Sequence, residues 1–221
     1  MKIALLGNGK TGQYVQSINP SVFVFNSSNQ PTLESLAKVD IIISFLPGDI
    51  FQSYIPLLIK SKKPVVTGST GFDWPSDIDK TLKENNLKWI YASNFSVGIN
   101  IVKTMIETLS KASELFEDYS FSIKEIHHTK KIDAPSGTAI SFQKWLDKPV
   151  QINSKRTGDI IGEHQLTFST KEESISINHT AHDRSLFAKG ALWASKILVE
   201  DSSIPYGLNN FNQIVSKHLN I

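Results

Sequence analysis

The chain is 221 residues long, 40% hydrophobic and 20% charged, with a formal net charge of +2 and no cysteine. That length suits one large domain or two modest ones, so small charge gives no argument for a nucleic-acid partner, and the missing thiols exclude disulfides, thiolate metal sites and cysteine catalysis. No apolar run approaches the ~20 residues of a membrane span, and MKIALLGNGK runs straight into a glycine turn instead of forming a signal peptide; a cytoplasmic setting is the expectation.

Strand and helix patterns alternate through the first ninety-odd residues. KIALL (2–6), VFVF (22–25), DIIISFL (40–46), KPVVTG (63–68) and LKWIYA (87–92) read as strands. Residues 11–18, 31–39, 49–61 and 76–86 read as helices, the third despite Pro56. Apolar strands joined by helices predict a parallel, doubly wound sheet buried on both faces. After NFSVGIN (94–100) the pattern changes: residues 101–116 read as a long helix and SFSIKEIHH (120–128) as a strand. A helix is expected at about 136–146, opening near Pro135 or Ser136. KPVQINSK (148–155), EHQLTFST (163–170) and ESISINHTA (173–181) are strand candidates joined by Gly and charged turns, which predicts a separate, mixed or largely antiparallel sheet. Residues 185–199 return to helical periodicity, and a further helical tail is expected to pack back on the first domain. The fold class is therefore α/β. A Rossmann-like dinucleotide-binding domain of residues 1–96 with 185–221 accompanies an α+β domain of residues 97–184, with candidate hinges near Ser96 and Arg184.

GNGKTG (7–12) fits G-x-G-x-x-G directly after a strand and before a helix, the context that motif requires. Gly7 permits the tight turn, Gly9 lets backbone approach a pyrophosphate, and Gly12 allows close helix–strand packing; Asn8, Lys10 and Thr11 complete the loop. The usual ribose anchor is an acid after the second strand. Here Asn26-Ser27-Ser28 stands in its place, so nothing repels a 2′-phosphate and Lys10 can attract one. NADPH is accordingly expected to be accepted beside NADH. Two later loops at strand ends are candidates to meet the cofactor: TGSTGF (67–72) through Gly68 and Thr70, and ASNF (92–95) through Ala92, Asn94 and the Phe95 ring. Simple turn chemistry explains both loops equally well.

EIHHTKKIDAPSGTA (125–139) gathers two imidazoles, two ammonium groups and a helix start into fifteen positions. Histidine titrates near neutrality, and unpaired amides at a helix start favour an anion. Proton donors beside a carboxylate cradle point to a site for a small acid. Neighbouring residues on a strand face opposite ways, so His127 and His128 share a pocket only if the strand has ended. Asp133 reads as a turn residue. His164, His179 and His182 with Glu163 form no metal motif, and no metal is expected. Trp145 and Trp193 read as core. Arg184 suits either a ligand contact or a hinge salt bridge.

Taken together, HHTKKIDAPSGTA, TGSTGF, NFSVGIN, GDIIGEH (158–164) and HTAHDRSLFAKGAL (179–192) closely resemble the 4-hydroxy-tetrahydrodipicolinate reductase family, in order and over nearly the whole chain. The resemblance implies reduction of a cyclic imine dicarboxylate by NADPH or NADH in the diaminopimelate and lysine pathway. It implies a homotetramer built through the second domain. It assigns His127 as proton donor, Lys131 as its assistant, and His128, Lys131, Ser136, Gly137 and Thr138 as holders of the substrate carboxylates. Three departures bear on cofactor preference: Lys10-Thr11 replaces an Arg-Met pair in a glycine loop that is shorter by one residue, the acid after the second strand is missing, and the chain between Phe25 and Asp40 is short. Two other readings stand beside this one: a catalytically silent nucleotide sensor, which would bind cofactor without turnover, and a reductase of another small imino or amino acid, which a planar pyridine dicarboxylate would not inhibit.

Overall fold

The computed structural model describes residues 1–219, which fall into two compact units: Met1–Ser96 together with the chain from Arg184 onward, and Val97–Asp183.

The first unit is a six-stranded parallel sheet with helices on both faces. Its strands are β1 (Ile3–Leu6), β2 (Phe23–Phe25), β3 (Ile41–Ser44), β4 (Val65–Thr67), β5 (Lys88–Tyr91) and β10 (Gly207–Asn210), in the order β10-β5-β4-β3-β1-β2. The central strands β1, β3 and β4 are buried along their whole length and almost wholly apolar because both sides are covered. One side packs on α2 (Leu33–Ala37), α3 (Gly48–Lys60) and α4 (Ile78–Glu84), where Ala4, Leu6 and Ile42 meet Leu36, Phe51, Leu58 and Leu82. The other side is covered by α7 (Ser185–Glu200), which lies on β3, β4 and β5 and packs beside α1 (Lys10–Ile18).

The tail contains one element that the periodicity did not reveal. Helix is expected there throughout, yet residues 207–210 form β10, paired with β5, before α8 (Phe211–Leu219). GLNN has no apolar alternation; it becomes a strand because β5 offers an unpaired edge. Leu208 N–H donates to Asp79 Oδ1 at 2.9 Å, which anchors the strand to α4.

The second unit is a four-stranded sheet in the order β7-β6-β8-β9, with β6 (Ser120–His127), β7 (Gln151–Arg156), β8 (Gly162–Ser169) and β9 (Ser174–Ala181). β6 and β7 are parallel, joined through α6 (Gly137–Leu146); β8 is antiparallel to both β6 and β9. The mixed sheet follows from that single crossover helix, since parallel neighbours need a long connection. α6 and the long α5 (Val97–Ala112) cover one face, burying Ile106, Ile123, Phe142, Leu146, Leu166 and Phe168. The helix begins at Val97, inside the segment read from sequence as a transition. On the other face Lys124, Ser176 and Asn178 are exposed, with Gln165 and Thr167 half-buried. No helix among the described residues is long and apolar enough to cross a membrane.

Candidate active site

In the first unit the chain leaves β1 for β2 on one side and reaches β3 on the other, so the carboxyl end of β1 is a topological switch point. The glycine loop sits there. Gly7 has φ +92° and donates its N–H to the Phe25 carbonyl at 2.9 Å. Gly9 is the N-cap of α1 and carries no side chain to occupy the first amides. A Cβ built on Gly9 would meet nothing within 4 Å, whereas one on Gly12 would lie 2.2 Å from the Gly7 carbonyl oxygen. Gly12 therefore lets the helix close on its own loop more than on the strand. Unfilled amides, open space and no blocking side chain fit a pyrophosphate at Gly9. Asn8, Lys10 and Thr11 complete the same turn, Asn8 and Lys10 exposed and Thr11 half-buried.

Two cavities flank this loop. One of about 210 Å³ is lined by Leu6, Phe25, Leu46, Ile50 and Tyr54, with Asn26, Ser27 and Gln30 at its polar side. The other, of about 370 Å³, is lined by Lys10, Gln13, Tyr14, Ser17 and Arg184. Lys10 and Asn26 thus line different cavities. The Asn26 side chain is already committed: its Oδ1 accepts the N–H groups of Ser28 at 2.9 Å and Asn29 at 3.0 Å. The rest of its side chain is an NH2 group, a donor where the usual acid would accept.

The other loops are tightly built. A Cβ on Gly68 would lie 2.4 Å from the Phe45 ring, and Ala92 N–H donates to the Thr67 carbonyl at 3.1 Å. Thr70 is exposed. Asn94 Oδ1 accepts from Ser96 N–H at 2.8 Å, a turn contact. The expectation that the Phe95 ring faces a ligand is corrected: it is 1% exposed and packs on Phe211 at 4.7 Å between centroids and on Phe45 at 6.2 Å. An aromatic ring after a strand is worth more in the core than in solvent, and the sequence does not distinguish the two.

The second unit holds the acid–base groups. Along β6, Ile123, Glu125 and His127 share one face, as residues two apart on a strand must. Apolar pairing at Ile123–Leu166–Ile177 gives way one step on to a polar row, Ser154–Glu125–His164–His179, across all four strands. Glu125 is fully buried. One carboxylate oxygen is bonded to His127 Nδ1; the other accepts Arg156 Nη2 at 2.8 Å and Ser136 N–H at 3.3 Å. Burial pushes its pKa up, but bonds from Arg156, Ser154 and His127 outweigh that and hold it down at about 2. For His127 burial works the other way and depresses its proton affinity, against the raising effect of Glu125; Lys131 and Arg156 depress it further.

β6 ends at His127, so the strand rule no longer binds its neighbour. His128 N–H donates to the Ile160 carbonyl at 2.7 Å, and its Nδ1 is buried without a partner. Lys131 Nζ bonds Asp133 Oδ1 at 2.8 Å, while Lys130 is exposed. Ser136 is held by partners of its own. It is 2% exposed, and its Oγ caps α6 by accepting Ala139 N–H at 3.2 Å while bonded to His164 Nε2 at 3.1 Å. With its N–H given to Glu125 as well, Ser136 builds the helix start. The N–H groups of Gly137 and Thr138 have no acceptor among the described residues, and Gly137 faces open space.

Four residues around His127 were missed as site residues: Glu125, Arg156, Gly162 and His164. Glu125 was detectable, since a carboxylate two positions before a histidine on a strand shares its face. Arg156 and Gly162 were not, because only the register of β7 and β8 against β6 brings them there. A Cβ on Gly162 would lie 2.9 Å from His127 Nε2.

Residues 98–211 match the family model described as "Dihydrodipicolinate reductase, C-terminus". A 4-hydroxy-tetrahydrodipicolinate reductase of Christiangramia forsetii is 33% identical over 92% of this chain and 95% of its own. The chain belongs to this reductase family. The corresponding enzyme of Thermosipho africanus is 35% identical over 80% of this chain and 79% of its own. Among solved structures, the dipicolinate-bound dihydrodipicolinate reductase of Paenisporosarcina sp. TG-14 superposes with a TM-score of 0.77 at 21% identity, covering 97% of this chain and 99% of that one. The six-stranded parallel sheet and second mixed sheet are thus the architecture of the family, and membership of this reductase family together with the Rossmann-like unit implies a nicotinamide cofactor.

Proposed function

We propose that this protein reduces 4-hydroxy-tetrahydrodipicolinate to tetrahydrodipicolinate in diaminopimelate and lysine biosynthesis, with His127 as proton donor. The observation that carries the reading is the buried His127–Glu125 pair beside Lys131 and two unpaired amides at the start of α6. Bound NADPH or NADH supplies the hydride. His127 then gives the proton that the reduced ring needs, within reach of the carboxylates' own binding groups. Gly137 and Thr138 N–H hold one carboxylate, and Lys131 exchanges Asp133 for the other; His128 adds a second imidazole at this edge. A dianion arriving beside His127 opposes the effect of burial and favours its protonated form.

The glycine loop suits the pyrophosphate and the Leu6–Tyr54 cavity suits a flat, largely apolar base. For the adenosine ribose, Asn26 and Ser27 offer donors and no carboxylate, which supports acceptance of NADPH beside NADH. Gly68, Thr70, Ala92, Asn94 and the main chain of Phe95 are proposed to line the nicotinamide half. Arg184, beside Lys10, is proposed to bind the cofactor's negative charge. A homotetramer built through the second unit is proposed from the family resemblance. A cytoplasmic location accords with the chain's lack of cysteine and with use of the cell's nicotinamide pool.

A coupled assay, in which an aldolase-type synthase generates the unstable substrate, tests the assignment with each cofactor. Turnover is expected with both, with inhibition by a planar pyridine dicarboxylate. His127→Gln and Lys131→Ala are each expected to lose roughly 100-fold or more in kcat with little change in cofactor affinity, the size usual for a lost general acid. Unchanged turnover in both variants rejects the mechanism; an NADPH kcat/KM far below that of NADH rejects the ribose reading.

A further inference from the structure

We propose that Glu125, anchored by Arg156, is the positioning residue that turns His127 so that its proton leaves from Nε2. The proposal rests on the assignment of His127 as proton donor and adds the group that makes it one.

The geometry supports this from three sides. Glu125 Oε2 is bonded to His127 Nδ1, which fixes Nδ1–H inward and leaves Nε2 as the ring's outward nitrogen. Arg156 Nη2 fixes the carboxylate in turn, and the same nitrogen donates to the Asp133 carbonyl at 2.5 Å, tying β7 to the loop that carries Lys131. Gly162 keeps the space beside Nε2 clear of any side chain, since even a methyl there would come within 2.9 Å of it. An anion buried this deeply is held only where each of its oxygens is bonded to a donor, and here both are.

The surroundings define what the carboxylate does. Facing the imidazole are Arg156 from β7, His164 from β8 with ring centroids 5.0 Å apart, Lys131 from the loop, and the Ser136 amide at the start of α6. His179 of β9 lies beyond His164, at 6.4 Å. Among the described residues Glu125 is the one carboxylate bonded to the ring, among cations and neutral imidazoles. In the step itself the imidazolium Nε2–H bond breaks and a C–H bond forms on the electron-rich ring carbon that hydride addition creates. The N–H electron pair stays on Nε2, the neutral ring remains bonded to Glu125 through Nδ1–H, and solvent restores the proton.

The test compares pH profiles of kcat in the full-length enzyme for the parent, Glu125→Gln, Glu125→Asp, His127→Gln and the Glu125→Gln/His127→Gln double variant. Activity needs protonated His127, so it falls as pH rises through the imidazole's titration. Removing the Glu125 charge moves that basic limb to lower pH by about one unit or more, the effect of losing one opposite charge in hydrogen-bond contact. At pH 7.5 kcat drops about ten-fold or more as a result, while the KM for NAD(P)H stays at the parent value. Glu125→Asp keeps the charge and lies between the two. The double variant is no slower than His127→Gln alone, because the carboxylate acts through the ring. A basic limb unmoved in Glu125→Gln, or a loss that multiplies that of His127→Gln, overturns the inference while the donor assignment stands. Full turnover in His127→Gln overturns both. Where Glu125→Gln does not fold, Glu125→Asp decides: a limb displaced toward lower pH supports the inference and an unmoved one overturns it.

Discussion

A buried histidine whose burial outweighs its nearest carboxylate makes stability depend on pH, and His164, opposite Glu125, is such a residue. It is 6% exposed, bonded at Nε2 to Ser136, and burial, with His127 and His179 nearby, lowers its pKa to about 4. The unfolded chain therefore binds this proton from about pH 6.5 downward while the folded one resists it to about pH 4. The contribution is complete above pH 6.5 and lost as pH falls through that window, on the order of 3 kcal/mol in all. His127 and His179, both also lowered, act in the same direction. Glu125 extends the loss into a second window, from its ordinary value down to about 2. Urea titrations between pH 7 and 4 are expected to show midpoints falling with acid, and His164→Gln to flatten that slope. A midpoint independent of pH over this range would contradict the burial assigned to these rings.

At the scale of elements, β10 shows how much a short strand depends on its neighbours. Gly207 has φ +118°, and a Cβ there would lie 2.4 Å from Asp79 Oδ1, the atom that also receives Leu208 N–H. Gly207→Ala combines a left-handed backbone with a clash against the group that anchors the strand. It is expected to cost about 1–3 kcal/mol and to speed amide exchange of residues 208–210, while the second unit's exchange is unaffected. α6 illustrates the converse case. Its cap, Ser136, is visible in sequence as a Ser-Gly-Thr start after a proline, and the side chain's partners, Ala139 and His164, tie that start to β8 as well.

The whole molecule is organised by an interruption: the chain leaves its first unit after Ser96 and rejoins it at Arg184. Residues 97–183 are continuous and contain their own core of α5, α6 and four strands. Residues 1–96 alone lack α7, which covers β3 to β5, and β10, which closes the β5 edge. A 97–183 fragment is expected to unfold cooperatively by circular dichroism, and a 1–96 fragment to expose apolar surface and bind a hydrophobic dye. A folded, dye-silent 1–96 fragment would show that α7 is dispensable to the sheet.

The amino-acid sequence by itself determined the alternating strands of the first unit, the glycine loop, the change of pattern near residue 96, and the 125–139 run that marks the family. These are local signals: periodicity, turn chemistry and spacing act over a few residues, so the order of side chains suffices to read them. Tertiary structure alone decided that GLNN is a strand, that the Phe95 ring is core, that Ser136 is bonded to His164, and that Arg156 and Gly162 stand at His127. Each depends on a partner distant in sequence. Arg156 is 31 positions from the carboxylate it holds, and β10 lies more than a hundred residues from β5. Strand register and burial are properties of the packed chain, fixed when hydrophobic faces and unpaired backbone groups find one another.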